Sequence, residues 1–172
     1  MSRDFPQPPA VRALPPSGRA LLFALINLGI DIDAVGHAAA PLIGINQTDL
    51  ICLNVLVQRG SITAGQLSSV VGLTTGATTT VIDRLERAGY VRRTNDAADR
   101  RKVLVEASPD AALHAFALFD GLMETLAGLA GRYSEDQLAM LTGLLEAFRS
   151  QIADFTADLR TRAAQAKTAR RG

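Results

Sequence analysis

The stretch Gly72-Leu-Thr-Thr-Gly-Ala-Thr-Thr-Thr-Val-Ile-Asp-Arg-Leu-Glu-Arg-Ala-Gly-Tyr-Val91 decides the fold. Within it, Thr74 is a suitable N-cap for a helix that continues to Ala88, and Gly89 ends that helix. At about 100° per residue, one side of the helix is apolar and is expected to face a core. The residues expected on that side are Thr78, Val81, Ile82 and Leu85.

A shorter helix is predicted immediately before this stretch. Thr63-Ala-Gly-Gln66 has the pattern of a capping box, with Thr63 as the N-cap and Gln66 at the third helical position. The helix would run to Val71, and Gly72 suits a left-handed C-terminal cap. Two short helices separated by a turn that contains glycine predict a helix-turn-helix.

A β-hairpin with a charged tip is predicted immediately afterwards. Residues 91–94 and 103–107 have the composition of strands, and residues 95–102 connect them with turn residues and then arginines. A helix-turn-helix followed at once by a basic hairpin predicts a winged helix.

Long helices with heptad stripes are predicted at both ends of the chain. One runs over about residues 18–39 and is ended by Pro41 and Gly44. The last helix begins at residues 134–137 and carries apolar residues at alternating spacings of three and four over three heptads. These residues are Leu138, Leu141, Leu145, Phe148, Ile152, Phe155 and Leu159. Two such stripes exceed what one small winged helix can cover, which favours a homodimer over helices packed on their own domain.

The predicted fold class is mainly α (α+β), a winged helix-turn-helix lobe with a helical dimerisation region from both chain ends. Further helices are predicted over residues 48–58 and over residues 109–130, the latter capped by Ser108. The predicted organisation is a loose arm (1–17), one domain (18–160) with dimerisation helices (18–40 and 109–160) and a winged helix-turn-helix (48–107), and a basic tail (161–172).

Composition narrows the possible functions. The 172 residues carry 18 Lys and Arg against 17 Asp and Glu, and 48% are apolar, which excludes a disordered protein. The charge is uneven, because residues 84–102 hold seven basic residues against three acids and residues 157–172 hold five against one. Such local fields attract polyanions, although solvated surface charge alone is the alternative.

Other classes of protein are disfavoured. The longest apolar stretch, residues 20–30, is shorter than the roughly 20 residues of a membrane span, and the proline-rich start lacks the apolar region of a signal peptide. One cysteine, Cys52, fits a reducing cytoplasm, and two distant histidines, His37 and His114, supply no zinc cluster. No P-loop, Gly-x-Ser-x-Gly elbow or triad is found. We therefore expect a cytoplasmic protein that is not an enzyme and needs no metal or cofactor.

The side of the central helix opposite its core face has the chemistry of a DNA-reading surface. Gly76, Thr79, Thr80, Asp83 and Arg87 lie there, with Thr75 and Arg84 at its margins. Small side chains let a helix approach DNA closely, and threonine offers a hydroxyl and a methyl group to base edges. The alternative is a threonine-rich surface helix without a ligand.

The stretch 72–91, followed by Arg92-Arg93 and Asp99-Arg-Arg-Lys-Val-Leu-Val105, resembles the multiple antibiotic resistance regulator (MarR) family. The resemblance extends over about residues 18–160. It implies a dimeric winged-helix transcription factor that binds double-stranded DNA at a pseudo-palindromic operator, as a repressor controlled by a small aromatic or phenolic ligand.

Site residues follow from the same resemblance. Thr75, Gly76, Thr79 and Thr80 would lie in the major groove, although many members carry a basic residue where Thr80 stands. Arg84 would contact phosphate, with Arg87 nearby, while Arg100 and Arg101 at the wing, held by Asp99, would approach the minor groove. The ligand crevice would be lined by Phe23, Asn27, His37 and Leu53.

Two alternatives to a ligand-responsive repressor remain. A thiol-based redox regulator would use Cys52, but its apolar neighbours favour a buried thiol with a raised pKa. A winged helix used only for protein contacts would use the terminal heptads and would not bind DNA.

Overall fold

The computed structural model describes residues 8–96, 98–99 and 101–169, apart from the side chains at 111, 164 and 167–169. The chain packs as two compact units, Met1–Leu118 and Phe119–Gly172. The fold is mainly helical with a small antiparallel sheet, as the sequence predicted.

The first unit contains six of the described helices. They are α1 (Pro9–Arg12), α2 (Pro16–Ala39), α3 (Gln47–Arg59), α4 (Ala64–Val71), α5 (Thr75–Arg87) and α6 (Pro109–Ala117). A 3-10 turn, Ala40–Ile43, follows α2 and ends at Gly44, which has a left-handed backbone. The capping box of α4 forms as predicted, because Thr63 Oγ1 accepts from the Gln66 amide and Gln66 Oε1 accepts from the Thr63 amide.

A three-stranded antiparallel sheet completes this unit. Its strands β1 (Ile62–Thr63), β2 (Val91–Asn95) and β3 (Val103–Ala107) lie in the order β1-β3-β2. The predicted hairpin is confirmed, with Val91 opposite Ala107 and Asn95 opposite Val103. Its base is attached to the helices because the Tyr90 hydroxyl donates to the Ile43 carbonyl oxygen over 2.9 Å. The wing therefore has a fixed origin on the helical body.

The core of the first unit lies among α3, α4, α5 and the sheet. The four residues predicted to face it from α5 are all buried, together with Leu53, Leu56 and Leu67. Cys52 is completely buried in the same core, as predicted for a structural cysteine.

The described part of the second unit contains two helices, α7 (Asp120–Ala130) and α8 (Glu135–Ala169). Ser134 begins α8 as predicted, since its hydroxyl oxygen accepts from the Gln137 amide and its own amide donates to Gln137 Oε1. Most apolar side chains of α8 are exposed within the single chain, among them Ile152 at 65% and Phe155 at 61%. Most of the heptad stripe is therefore uncovered within this unit, although Leu138 and Phe148 are half-buried.

Three expected helix boundaries differ from the structure. The helix predicted over 109–130 is divided into α6 and α7 at Leu118 and Phe119. The predicted loose arm contains α1 and the start of α2 at Pro16, while residues 1–7 lie outside the described residues. The last helix continues beyond Leu159, the last residue of its predicted stripe, to Ala169. Much of the predicted basic tail (161–172) is therefore helical.

The helix α2 is unusually apolar on its exposed surface. Among the described residues, the segment Pro16–Ile43 is long and apolar enough to cross a membrane by length and composition. The expectation from the sequence differed because it counted only residues 20–30, which end before Asp31. The core helix of a soluble protein and a signal sequence pass the same test.

Candidate nucleic-acid interface

The helix-turn-helix presents α5 with one face free of core contacts. Thr74 caps α5 by accepting from the Ala77 amide, and the turn before it is held by the Ser68 hydroxyl, which donates to the Leu73 carbonyl oxygen over 2.7 Å. We define the outer face of α5 as the exposed residues Thr75, Gly76, Thr79, Thr80, Asp83 and Arg87. The structure brings together all the residues predicted for this face.

The hydroxyl groups of the outer face are bonded to their own helix. Thr79 Oγ1 lies 3.0 Å from the Thr75 carbonyl oxygen, and Thr80 Oγ1 lies 3.1 Å from the Gly76 carbonyl oxygen. A carbonyl oxygen only accepts, so both hydroxyls donate. Both side chains remain exposed beside the helix N-terminus, where backbone amides and the helix dipole favour an anion.

Arg84 is paired with a carboxylate that is buried in the core. Its Nη2 donates to Asp49 Oδ1 over 2.5 Å and its Nε donates to Asp49 Oδ2 over 3.1 Å. Asp49 also belongs to a capping box with Asn46, whose side chain accepts from the Asp49 amide. The hydrogen bond with Asp49 raises the pKa of Arg84. Any contact of Arg84 with a phosphate would therefore share the guanidinium with Asp49.

A second arginine connects β2 to α5. Arg93 donates to Asp83 Oδ1 over 2.5 Å and also forms an ion pair with Glu86. The hydrogen bond to Asp83 is the main cause of the raised pKa of Arg93. This pairing offsets two negative charges on α5 that would otherwise repel a polyanion.

The tip of the wing holds an aspartate and an arginine in contact. Asp99 Oδ1 accepts from the Arg101 amide over 3.1 Å and from Arg101 Nε over 3.3 Å. The Arg101 side chain is 92% exposed, so its guanidinium projects into solvent. Arg100, also predicted to contact DNA, lies outside the described residues.

The base of the wing carries a further polar cluster. Glu106 on β3 accepts from the Ser61 hydroxyl over 2.5 Å and from Arg92 Nε over 2.6 Å. The Ser61 hydrogen bond, followed by the one from Arg92, lowers the pKa of Glu106. The cluster connects the segment before β1 to the hairpin and leaves Arg92 exposed.

The four residues predicted to line a ligand crevice lie in different environments. Leu53 is completely buried in the core of the first unit, so it does not line an open crevice, while Phe23 and Asn27 are exposed on α2. His37 is exposed and borders an open groove of about 500 Å³. The other residues that line this groove are Asn46, Gln47, Thr48, Leu73, Ala77, Thr80, Val81 and Arg84.

The environment of Cys52 opposes thiolate chemistry. Burial, followed by the nearby Asp49 carboxylate, raises the pKa of the Cys52 thiol to about 11. Because the thiolate is the reactive form, this thiol is a poor nucleophile near neutral pH. Among the described residues, no group of three or more His, Cys, Asp or Glu side chains is placed to hold a metal ion.

Two functional residues were missed by the sequence analysis. Asp49 was not singled out, although the pattern Asn46-Gln-Thr-Asp49 is a recognisable capping box and an acid within an apolar helix is unusual. Arg93 was treated only as part of a basic strand. Its partners on α5 lie seven and ten residues away, so only the packing of β2 against α5 reveals them.

A helix-turn-helix joined to a β-hairpin with an exposed arginine at its tip defines a winged helix-turn-helix protein. Residues 45–103 match the family model described as MarR family. The chain is also 39% identical over 105 residues to YcgE, an uncharacterized HTH-type transcriptional regulator of Bacillus subtilis (strain 168), across 61% of this chain and 68% of YcgE. The chain belongs to the MarR family of transcriptional regulators.

Solved structures share the fold. Streptococcus pneumoniae FabT in complex with DNA has a TM-score of 0.61 at 20% identity, covering 80% of this chain and 98% of FabT. A MarR family protein from Bacillus stearothermophilus has a TM-score of 0.61 at 20% identity, covering 81% and 99%. A mutant MarR from E. coli complexed with operator DNA has a TM-score of 0.51 at 24% identity, covering 73% and 91%.

Proposed function

We propose that this protein is a cytoplasmic repressor that binds a pseudo-palindromic operator in double-stranded DNA as a homodimer and is released by a small aromatic or phenolic effector. The observation that carries the proposal is the outer face of α5, a capped helix N-terminus with small exposed side chains beside a wing with an exposed Arg101. The DNA complexes of FabT and MarR support DNA as the partner.

The proposed contacts follow from this arrangement. Small side chains of α5 enter the major groove, while the wing reaches the adjacent minor groove with Arg101 oriented by Asp99. Arg84 and Arg87 contact the flanking backbone, Arg84 while paired with Asp49. The proposed DNA-contacting residues are Thr75, Gly76, Thr79, Thr80, Arg84, Arg87, Asp99, Arg100 and Arg101.

Exposed apolar helices support the homodimer. Ile26, Ile30 and Ile32 on α2 are each about 60% exposed within the single chain, and the heptad stripe of α8 is exposed in the second unit. Apolar faces of this extent mark interaction sites. In a family of DNA-binding regulators, a second copy of the chain is the partner that explains them, and we assign the apolar character of α2 to that contact rather than to a membrane.

An effector site is proposed at the groove beside α5. Its roughly 500 Å³ suits a small aromatic molecule, and it is bordered by His37, Thr80 and Arg84. A molecule bound there would contact α5 and would change the position of α5 on DNA.

Gel-shift titration with the DNA upstream of the protein's own gene tests the proposal, and a coding fragment of equal length serves as the control. We expect a shift at lower protein concentration with the upstream fragment, and a steep loss of affinity with salt. Addition of salicylate, as a simple phenolic probe, should reverse the shift. Absence of any shift at low salt would favour the protein-contact alternative.

A further inference from the structure

The hydrogen bonds within α5 restrict what its outer face can recognise. The hydroxyl protons of Thr79 and Thr80 are donated to the carbonyl oxygens one turn earlier, at 3.0 and 3.1 Å. Each exposed threonine therefore presents to solvent an oxygen that can accept and a methyl group, but no proton to donate. This differs from a serine or threonine in a loop, whose hydroxyl rotates to either role.

Apart from the Thr75 hydroxyl, no other exposed side chain in this part of the helix supplies a donor. From Thr75 to Asp83 the sequence has no Lys, Arg, Asn, Gln or His. The common side-chain contacts to guanine, from Arg or Lys, and to adenine, from Asn or Gln, are therefore absent from these residues. Arg87 lies beyond them, and its Nε donates to the Asp83 carbonyl oxygen over 3.1 Å. Recognition by the first two turns depends on threonine.

The edges of base pairs in the major groove respond differently to such a surface. A guanine edge has only acceptors, O6 and N7, which oppose an accepting hydroxyl oxygen. An A·T pair offers the adenine N6 amino group as a donor and the thymine methyl group as an apolar contact. A G·C pair offers the cytosine N4 amino group as a donor but no methyl group, so only an A·T pair satisfies both groups of a threonine whose proton is already donated.

We propose that Thr79 and Thr80 make α5 selective for A·T base pairs, by accepting from the adenine N6 amino group and by contacting the thymine methyl group, and that they disfavour guanine edges. The inference rests on the proposed binding of α5 in the major groove and assigns the class of sequence that it reads.

The experiment starts with a duplex pool of 20 random base pairs, selected on the full-length protein. We expect A·T pairs at the positions read by α5. On the selected duplex, each thymine is then replaced by uracil, which removes only the methyl group, and each adenine by purine, which removes only the N6 amino group. Affinity is measured by fluorescence anisotropy with the parent and with Thr→Ser and Thr→Val variants at positions 79 and 80.

The two variants separate the two contacts. Thr79→Ser keeps the hydroxyl and removes the methyl, so it should lose sensitivity to uracil at its paired position. Thr79→Val keeps the methyl and removes the acceptor, so it should lose sensitivity to purine instead. In the parent, uracil should weaken binding about three- to fivefold at that position, the affinity equivalent of one buried methylene, and purine should weaken it by a similar factor through the loss of one hydrogen bond.

A matched control and the opposing outcomes complete the test. Thr161 on α8 makes the same hydrogen bond to a carbonyl oxygen one turn earlier, so Thr161→Val should leave DNA affinity unchanged. Selection of guanine at the positions that respond to the variants, or no effect of uracil and purine at any position, would overturn the assignment. If the pool shows no enrichment at all, the proposed DNA-binding function fails together with it.

Discussion

Arg84 on α5 donates two hydrogen bonds to the carboxylate of Asp49 on α3, 35 positions earlier in the chain. The Asp49 side chain is almost completely buried. The same carboxylate belongs to the box that caps α3. The orientation of α5 is thereby connected to the start of α3. The guanidinium proposed to contact DNA is therefore also a part of the protein's own framework.

Arg84→Ala should destabilise the fold, because Asp49 would keep a buried charge without its partner. We expect a loss of about 1–3 kcal/mol, below the 3–5 of a fully buried pair since Arg84 is partly exposed. Urea unfolding measures the loss, and the double variant Asp49→Asn, Arg84→Ala should recover part of it. Because the charge of Arg84 is balanced by Asp49, the salt slope of DNA binding should fall by less than one. A decrease of a full unit in the salt slope would show that Arg84 binds phosphate as an unpaired cation.

Cys52 should affect stability at high pH but not the response to peroxide. Its folded pKa of about 11 exceeds the ordinary value of 9.0, so the unfolded state loses the thiol proton first. The parent should lose about 3 kcal/mol of stability between pH 9 and pH 11, at 1.36 kcal/mol for each pH unit between the two pKa values. The Cys52→Ser variant should lack this component in matched urea titrations.

DNA binding under peroxide gives the complementary measurement. Neither the parent nor Cys52→Ser should be released from DNA, because the thiol is neutral and buried. Release of the parent alone would identify a redox sensor instead.

Local signals explain what the sequence predicted well. The capping box of Thr63 and Gln66 depends on residues three apart, and the amphipathic pattern of α5 is contained in 13 residues. The pair of Asp49 and Arg84 depends on tertiary packing and has no local signal for its partner. The division between α6 and α7 falls at Leu118 and Phe119, directly before Asp120-Gly121, a dipeptide typical of turns that the prediction of one continuous helix did not take into account.

Ile152→Asp should convert a homodimer into monomers. Ile152 belongs to the heptad stripe of α8 and is 65% exposed in the single chain, so a charge there costs an isolated chain little and opposes burial in a dimer. Met140→Asp is the matched control, because Met140 is 67% exposed but lies off the stripe. Sedimentation velocity at micromolar concentration measures both, and a parent that is monomeric would contradict the prediction.

Two truncations extend the same test. A chain that ends at Leu144 loses most of the stripe and should not dimerise. A chain that lacks residues 161–172 keeps the stripe and should dimerise normally. Dimers of the chain that ends at Leu144 would place the interface outside residues 145–172.

Gly76→Ala should stabilise the protein while weakening DNA binding. A Cβ at Gly76 would meet no atom within 4 Å, so packing within the described structure does not require glycine, and replacement in a helix should add up to about 1 kcal/mol. The added methyl would instead hold the helix backbone away from base edges. Gly143→Ala, equally unobstructed and off the stripe of α8, should stabilise without changing DNA affinity. Thermal unfolding measures the stability of each variant, and fluorescence anisotropy measures its DNA affinity. Tighter DNA binding by Gly76→Ala would contradict a close approach of the helix backbone to base edges at this position.

The wing should depend on Asp99 as well as on Arg101. Arg101→Ala should weaken specific binding by about 1–3 kcal/mol, the scale for one good DNA contact. Asp99→Ala should also weaken it although it removes a negative charge, because Asp99 Oδ1 holds both the amide and the Nε of Arg101. Net charge alone predicts that Asp99→Ala binds DNA more tightly. Asp154→Ala, which removes an exposed acid from α8, is the control for net charge. Anisotropy on a selected duplex at two salt concentrations measures all three, and tighter binding by Asp99→Ala would reduce the wing to an unoriented basic patch.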